Sequence, residues 1–401
     1  MPSMERCKGM RDLLPQDMEK FRRLEGVFRD VCRRWGYGEV RTPVLEYLHL
    51  FTTAGTLTPG MLSRVYSFLD WDGWSGERVV LRPDGTIPTA RLFLSEVGKD
   101  PARLFYVENV FSFEETGREA RERWQCGVEF IGGPSPQGEG ELVSLALEVL
   151  GRLGFPATVK LTHQGFLKAL LGEVGEDLFP RLLEGEGLST LQPSRPEMER
   201  AMPLLFGMKG TGPGYLKNLK ALLLPSFPSL RESLEDFSRV VQLLSGAGIA
   251  YEIDMGNGKG FEYYTGVVFQ FYIGGERVGG GGRYNNLLPL LGRKDIPAAG
   301  FALYLEPLLA RMEVPFPRPS VLVVRSPTPR GQGRAFALAR ELRASGYRVE
   351  MECSASPPHF LIEVGNGFTV AGPSGEVVRL PSLKRLLPFL EEMGAIKAGP
   401  A

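Results

Sequence analysis

The chain opens on a helical period. Phe21, Leu24, Phe28, Val31 and Cys32 recur at helix spacing and Gly36 ends the run, which predicts an amphipathic helix over residues 15–36. GYGEVRTPVLEY (36–47) reads as a strand entering a proline turn. RVYSFLDWDG (64–73) and ERVVLRPDG (77–85) read as two strands joined by a glycine-containing turn. A helix is expected from Asp84 through Pro88, a proline that only a first turn tolerates. Arg103–Phe113 is strand-like, with Trp124–Ile131 as its expected antiparallel partner, and Gly140–Leu153 carries the apolar stripe of another helix. After a strand at 156–163, helical runs broken by Pro and Gly dominate from Gln164 to about Gly246, the pattern of a helical insertion.

Strand patterns return at 249–256, 263–274 and 275–282, followed by an expected helix at Tyr284–Leu291. MEVPFPRP (312–319) holds three prolines and reads as a linker. Beyond it, VLVVR, a helix over Gly333–Ser345 and YRVEMEC form a βαβ unit. Three short strands (360–365, 368–372, 376–380) and a closing helix complete a small α/β domain. The expected division is therefore a core over 1–315, with its insertion at about 164–246, and a second domain over 319–401.

Composition narrows the function. At 401 residues the chain is longer than one core usually grows. Hydrophobic residues make up 43% and charged residues 23%, as in an ordinary globular protein, and the net charge of +0 disfavours a chain that lives on nucleic acid. No apolar run reaches the roughly 18 residues of a membrane span. The N-terminus is charged early and shows no signal-peptide core, so a cytoplasmic protein is expected. Cys7, Cys32, Cys126 and Cys353 lie far apart, and His49, His163 and His359 show no ligand spacing, so neither a disulfide framework nor a metal site is expected.

Eight segments occur in a recognisable order: GMRDLLP (9–15), GYGEVRTPVLE (36–46), LRPDGTIPTARL (81–92), LFYVENVFSFEE (104–115), WQCGVEFIG (124–132), GKGFEYYTGVVF (258–269), GGGGRYNNLL (279–288) and PAAGFALYLEPLL (297–309). Each alone is a weak signal. Together they resemble the core motifs of histidyl-tRNA synthetases, over roughly residues 8–310 apart from the insertion. The resemblance implies an α+β, class II aminoacyl-tRNA synthetase-like fold: a mostly antiparallel sheet flanked by helices, a helical insertion and a shortened anticodon-binding-like C-terminal domain.

The same resemblance marks a histidine-binding set. It falls on Asp84, Thr86, Gln125, Glu129, Lys259, Tyr263 and Tyr264. The chemistry is coherent: carboxylates and a Gln carbonyl accept from an ammonium, and Glu129 with a tyrosine can hold an imidazole. Asp84 is one methylene shorter than the family's glutamate, and Lys259 keeps the charge of the family's arginine without its fork. The competing reading is that these are only buried structural polar groups.

The ATP end departs from the pattern. Ser112 and Pro307 stand where the family has phosphate-gripping arginines, and Tyr304 stands where a glycine makes room for the nucleotide. Arg121 matches a later loop arginine, and Arg118 or Arg123 is a rival replacement for Ser112. No catalytic residue, metal or cofactor is assigned. This combination resembles the regulatory subunits of ATP phosphoribosyltransferase, the first enzyme of histidine biosynthesis. It implies a short-form catalytic subunit as partner in a hetero-oligomer built on a homodimer, free histidine as ligand and feedback control, and makes tRNA an unexpected partner. Two alternatives remain open: an active ligase (a divergent histidyl-tRNA synthetase or an amino-acid-adenylating paralogue) and a free-standing histidine sensor.

Overall fold

A computed structural model describes residues 5–54, 62–71, 76–116, 118–174, 205, 209–255, 263–292, 295–312, 320–351 and 358–398. The chain separates into two compact units, Met1–Met312 and Glu313–Ala401.

The first unit is built on an eight-stranded sheet, ordered β1 (Gly38–Glu39), β5 (Ala102–Phe111), β6 (Glu122–Ile131), β11 (Ala298–Tyr304), β10 (Glu276–Arg283), β9 (Val267–Ile273), β7 (Thr158–His163) and β8 (Tyr251–Ile253). Only the two outermost pairs, β1–β5 and β7–β8, are parallel. The expected pairing of the two long strands holds, with Tyr106 opposite Gly127 and Leu104 opposite Glu129. A small sheet, β2 (Leu45–Tyr47), β4 (Gly76–Leu81) and β3 (Ser67–Trp71), stands apart.

One face of β5 and β6 is apolar and covered by helices. The helix Pro15–Arg34 buries the predicted stripe, and Phe28 meets Phe105 edge-on at 5.7 Å. Gly36, at φ +80, lets the chain turn out of that helix. The helix Gln137–Arg152 lies against the same sheet and buries Leu142, Leu145, Ala146 and Val149. The opposite face carries the polar side chains described below.

The sequence reading departs from the fold in four places. The segment 36–47 is two strands in different sheets, because the chain breaks at Thr42-Pro43 and a proline cannot donate to a ladder. The helix expected over Tyr284–Leu291 shrinks to Leu287–Leu290, since Tyr284 is drawn into the sheet through a backbone bond to Ala298. The helix expected from Gly140 starts three residues earlier, at Gln137. The insertion contains helices Gln164–Val174, Pro213–Leu223 and Arg231–Gly246, but Gly210 also bridges to Ile253, a strand contact that a lone glycine in sequence does not announce. Most of the linker expected at 312–319 lies outside the described residues.

The second unit has a five-stranded sheet, ordered β13 (Arg348–Met351), β12 (Val321–Arg325), β14 (Phe360–Val364), β15 (Phe368–Ala371) and β16 (Val377–Leu380). The helix Gln332–Ala344 connects parallel β12 and β13, as the βαβ reading predicts. Leu338, Leu342, Ile362 and Leu386 form its core.

Candidate functional site

The polar face of the large sheet is made deep by absent side chains. Gln125, Gly127 and Glu129 alternate onto one face of β6, and Gly300, Ala302 and Tyr304 lie opposite them on β11. A Cβ at Gly127 would stand 2.0 Å from the Tyr106 ring, and one at Gly300 would stand 1.9 Å from Glu129 Oε2. These glycines let a tyrosine and a carboxylate lie flat on the sheet, a packing role distinct from backbone freedom.

Five of the sequence-marked residues come together there. Asp84 precedes the helix Thr86–Leu92 and accepts the backbone N–H of Ile87 at 3.0 Å. Burial pushes its carboxyl up to about 6. Glu129 is buried and pushed further, to about 8, by desolvation, with the nearby Asp84 charge adding to the effect. Thr86, at the start of the same helix as Asp84, lies close enough to Glu129 to favour its charged form. Tyr263 and Tyr264 stack at 4.5 Å, with their hydroxyls 3.4 Å apart. Lys259 lies outside the described residues.

Two more tyrosines complete the cluster. Tyr106 donates to Glu129 Oε1 at 3.2 Å, and Tyr284 makes a short bond to Oε2. Tyr284 also meets Tyr263 edge-on at 5.7 Å. The sequence reading quoted both residues inside motifs (LFYVENV and GGGGRY) without giving them a role. For Tyr106 the sequence signal was the smallness of its neighbours, Gly85 and Gly127.

Arg82, in the same LRPDG segment, ties that segment to the chain around Thr42 and to β5. It is buried against Glu108 at 2.7 Å and donates to the carbonyls of Thr42 and Asn109, each at 2.8 Å.

Gln125 does not join the tyrosine cluster. It lines a half-open cleft of about 410 Å³ together with Arg64, Ser112, Arg123, Tyr304, Glu306 and Pro307. Gln125 and Glu129 are four residues apart on one face of β6, roughly 13 Å along the strand, and none of the cluster residues lines the cleft. All three positions read as altered in the ATP site thus share one cavity. The Tyr304 hydroxyl accepts from Arg277 at 2.5 Å, which holds the ring in place. Arg64 and Arg123 both reach the exposed Glu119, at 3.3 and 3.5 Å. Arg121 turns away from this group: it donates to the Glu114 carbonyl at 2.7 Å and lies over the Phe113 ring at 4.9 Å. Of the sequence candidates for an anion-gripping arginine, Arg123 lines the cleft.

Among the described residues no group of His, Cys, Asp and Glu is arranged to hold a metal ion, and no helix is long and apolar enough to cross a membrane.

Comparison with known proteins places this architecture. The histidyl-tRNA synthetase family model matches residues 9–308. ATP phosphoribosyltransferase regulatory subunits from two strains of Dehalococcoides mccartyi are 53% and 52% identical over 318 residues, covering 77% of this chain and 77% of each relative. A histidine–tRNA ligase from Methanosarcina acetivorans is 32% identical over 355 residues, covering 85% of this chain and 83% of the ligase. A crystal structure from Bacillus halodurans C, described as an ATP phosphoribosyltransferase regulatory subunit/histidyl-tRNA synthetase, superposes with a TM-score of 0.75 at 27% identity, over 89% of this chain and 95% of that one. The chain belongs to the histidyl-tRNA synthetase-like family and, within it, to the ATP phosphoribosyltransferase regulatory subunits.

Proposed function

We propose that this chain is a non-catalytic subunit that regulates ATP phosphoribosyltransferase in histidine biosynthesis, and that free histidine is its ligand. One observation carries the non-catalytic part. Ser112, Tyr304 and Pro307 line the same cleft, where a ligase needs two arginines and a gap. Losing one preorganised donor to a developing phosphate charge costs about 10²–10³ in rate. Two such losses, with an aromatic ring in the nucleotide's space, leave a scaffold that holds an amino acid but does not activate it.

In this reading the imidazole lies against Glu129 and the tyrosines, while the ammonium lies between Asp84 and Gln125. Histidine regulates the complex only if it binds the active and inactive states unequally. The partner is a short-form catalytic subunit, and the homodimer forms through the first helix and the strand after it. Near-zero net charge supports a role away from tRNA.

A second reading, an ATP-using ligase, draws on Arg64 and Arg123 in the same cleft. Histidine-dependent exchange of pyrophosphate into ATP separates the two, and exchange above a no-enzyme control would establish the ligase. The regulatory reading also requires that the chain co-purify with a short-form ATP phosphoribosyltransferase from its organism, raise that enzyme's activity and make it histidine-sensitive. Separate elution at micromolar concentration, with the catalytic chain equally active alone, would overturn it.

A further inference from the structure

Glu129 is held from both sides. Tyr284 binds Oε2 and Tyr106 binds Oε1 at 3.2 Å. The carboxyl is 1% exposed, so water cannot satisfy it. Gly300 and Gly127 leave the room in which this arrangement fits. The groups facing Glu129 come from several elements: Tyr106 from β5, Asp84 and Thr86 from the start of the helix Thr86–Leu92, Tyr263 and Tyr264 from the approach to β9, and Tyr284 from the end of β10.

A hydroxyl can donate to a carboxylate and can rotate to accept from a carboxylic acid. Tyr106 and Tyr284 therefore hold Glu129 in the same place in either protonation state. A neutral imidazole brings one N–H and one bare nitrogen. Placed against this carboxyl, the pair holds one proton between them, as imidazole with carboxylic acid or as imidazolium with carboxylate. A side chain that only donates, or that hydrogen-bonds without taking a proton, cannot complete that exchange.

We propose that Tyr284 and Tyr106 are positioning residues that hold Glu129 ready to share one proton with the ligand's side chain, and that this sharing selects an imidazole. The proposal rests on the histidine reading above and goes beyond it by naming what decides ligand identity. The free-protein state is set by the same residues. Burial keeps Glu129 protonated up to about pH 8, and the Tyr284 hydroxyl opposes that by favouring the charged form.

The test uses the full chain with glutamate ¹³C-labelled at the carboxyl, the Glu129 signal being assigned by its loss in Glu129→Gln. Tyr284→Phe and Tyr106→Phe, made singly, are each expected to move the Glu129 midpoint upward. They are also expected to weaken histidine binding by about tenfold or more, as loss of a hydrogen bond to a charged group does. The second probe is 1,2,4-triazolylalanine, which has the shape of histidine but a far less basic ring. Wild type is expected to prefer histidine over it by about tenfold or more, on the scale of one buried charge-assisted bond, and the Phe variants are expected to narrow that preference. Tyr272→Phe, bonded elsewhere to Gln270, leaves every reading unchanged. An unmoved midpoint with unchanged preference in both Phe variants overturns the proposal. If wild type binds no histidine at all, the ligand reading fails on its own, and the midpoint still decides whether the two tyrosines hold Glu129.

Discussion

Tyr304 stands directly across the β6–β11 ladder from Gln125. Both side chains line the same cleft, and in the proposed reading Gln125 faces the amino acid while the Tyr304 ring occupies the space a nucleotide would use. Arg277 fixes the tyrosine by a bond to its hydroxyl and lies 5.4 Å from its ring centre. Restoring an arginine elsewhere does not remove this wall.

Ser112→Arg alone is therefore expected to leave pyrophosphate exchange at background. ATP binding is expected to appear first in the triple variant Ser112→Arg, Tyr304→Gly, Pro307→Arg, measured by equilibrium dialysis with labelled ATP. Exchange in the single variant would show that Tyr304 is no obstacle.

Gly300 should tolerate no side chain. A Cβ there would meet Glu129 Oε2 at 1.9 Å and the Val128 carbonyl at 2.6 Å, and neither a backbone oxygen nor a clamped carboxylate can move aside freely. Gly300→Ala is expected to cost roughly 1–3 kcal/mol of stability and to abolish histidine binding. Calorimetry showing wild-type affinity would mean that Glu129 is not held where the structure puts it.

Arg82 and Glu108 form a fully buried pair, 2.7 Å apart. Removing one partner strands the other charge away from water. Arg82→Met is expected to destabilise the first unit by roughly 3–5 kcal/mol, while the double variant Arg82→Met, Glu108→Leu recovers part of that loss. Thermal melting of the single and double variants checks this, and additive losses would count against a coupled pair.

The pH dependence of stability follows from Glu129. Its folded pKa, about 8, lies above its ordinary value of 4.5. Between those values the unfolded chain has released a proton that the folded chain keeps, so stability falls as pH rises, by up to roughly 1.4 kcal/mol per unit. Glu129→Gln removes that dependence. The variant is expected to gain on wild type steadily from pH 4.5 to 8 in urea unfolding, while losing histidine. Parallel pH profiles would refute the raised pKa.

How much of this was legible in the chain depends on distance along it. The helix Pro15–Arg34, the pairing of β5 with β6 and the βαβ unit of the second domain rest on local period and adjacent partners, and their residues announced them. The motif order carried the family, and it marked Asp84, Thr86, Gln125, Glu129, Lys259, Tyr263 and Tyr264 as one group, of which five meet among the described residues. The sequence could not place Tyr106 and Tyr284 on Glu129, because those partners lie 23 and 155 residues away. Nor could it put Gln125 in the cleft, turn Arg121 away from it or bring Arg123 to its wall. Those outcomes depend on strand register, in which a shift of one residue sends every side chain to the other face. Residue types state which chemistry is available, and the stacking of β5, β6, β11 and β10 decides which of those groups meet.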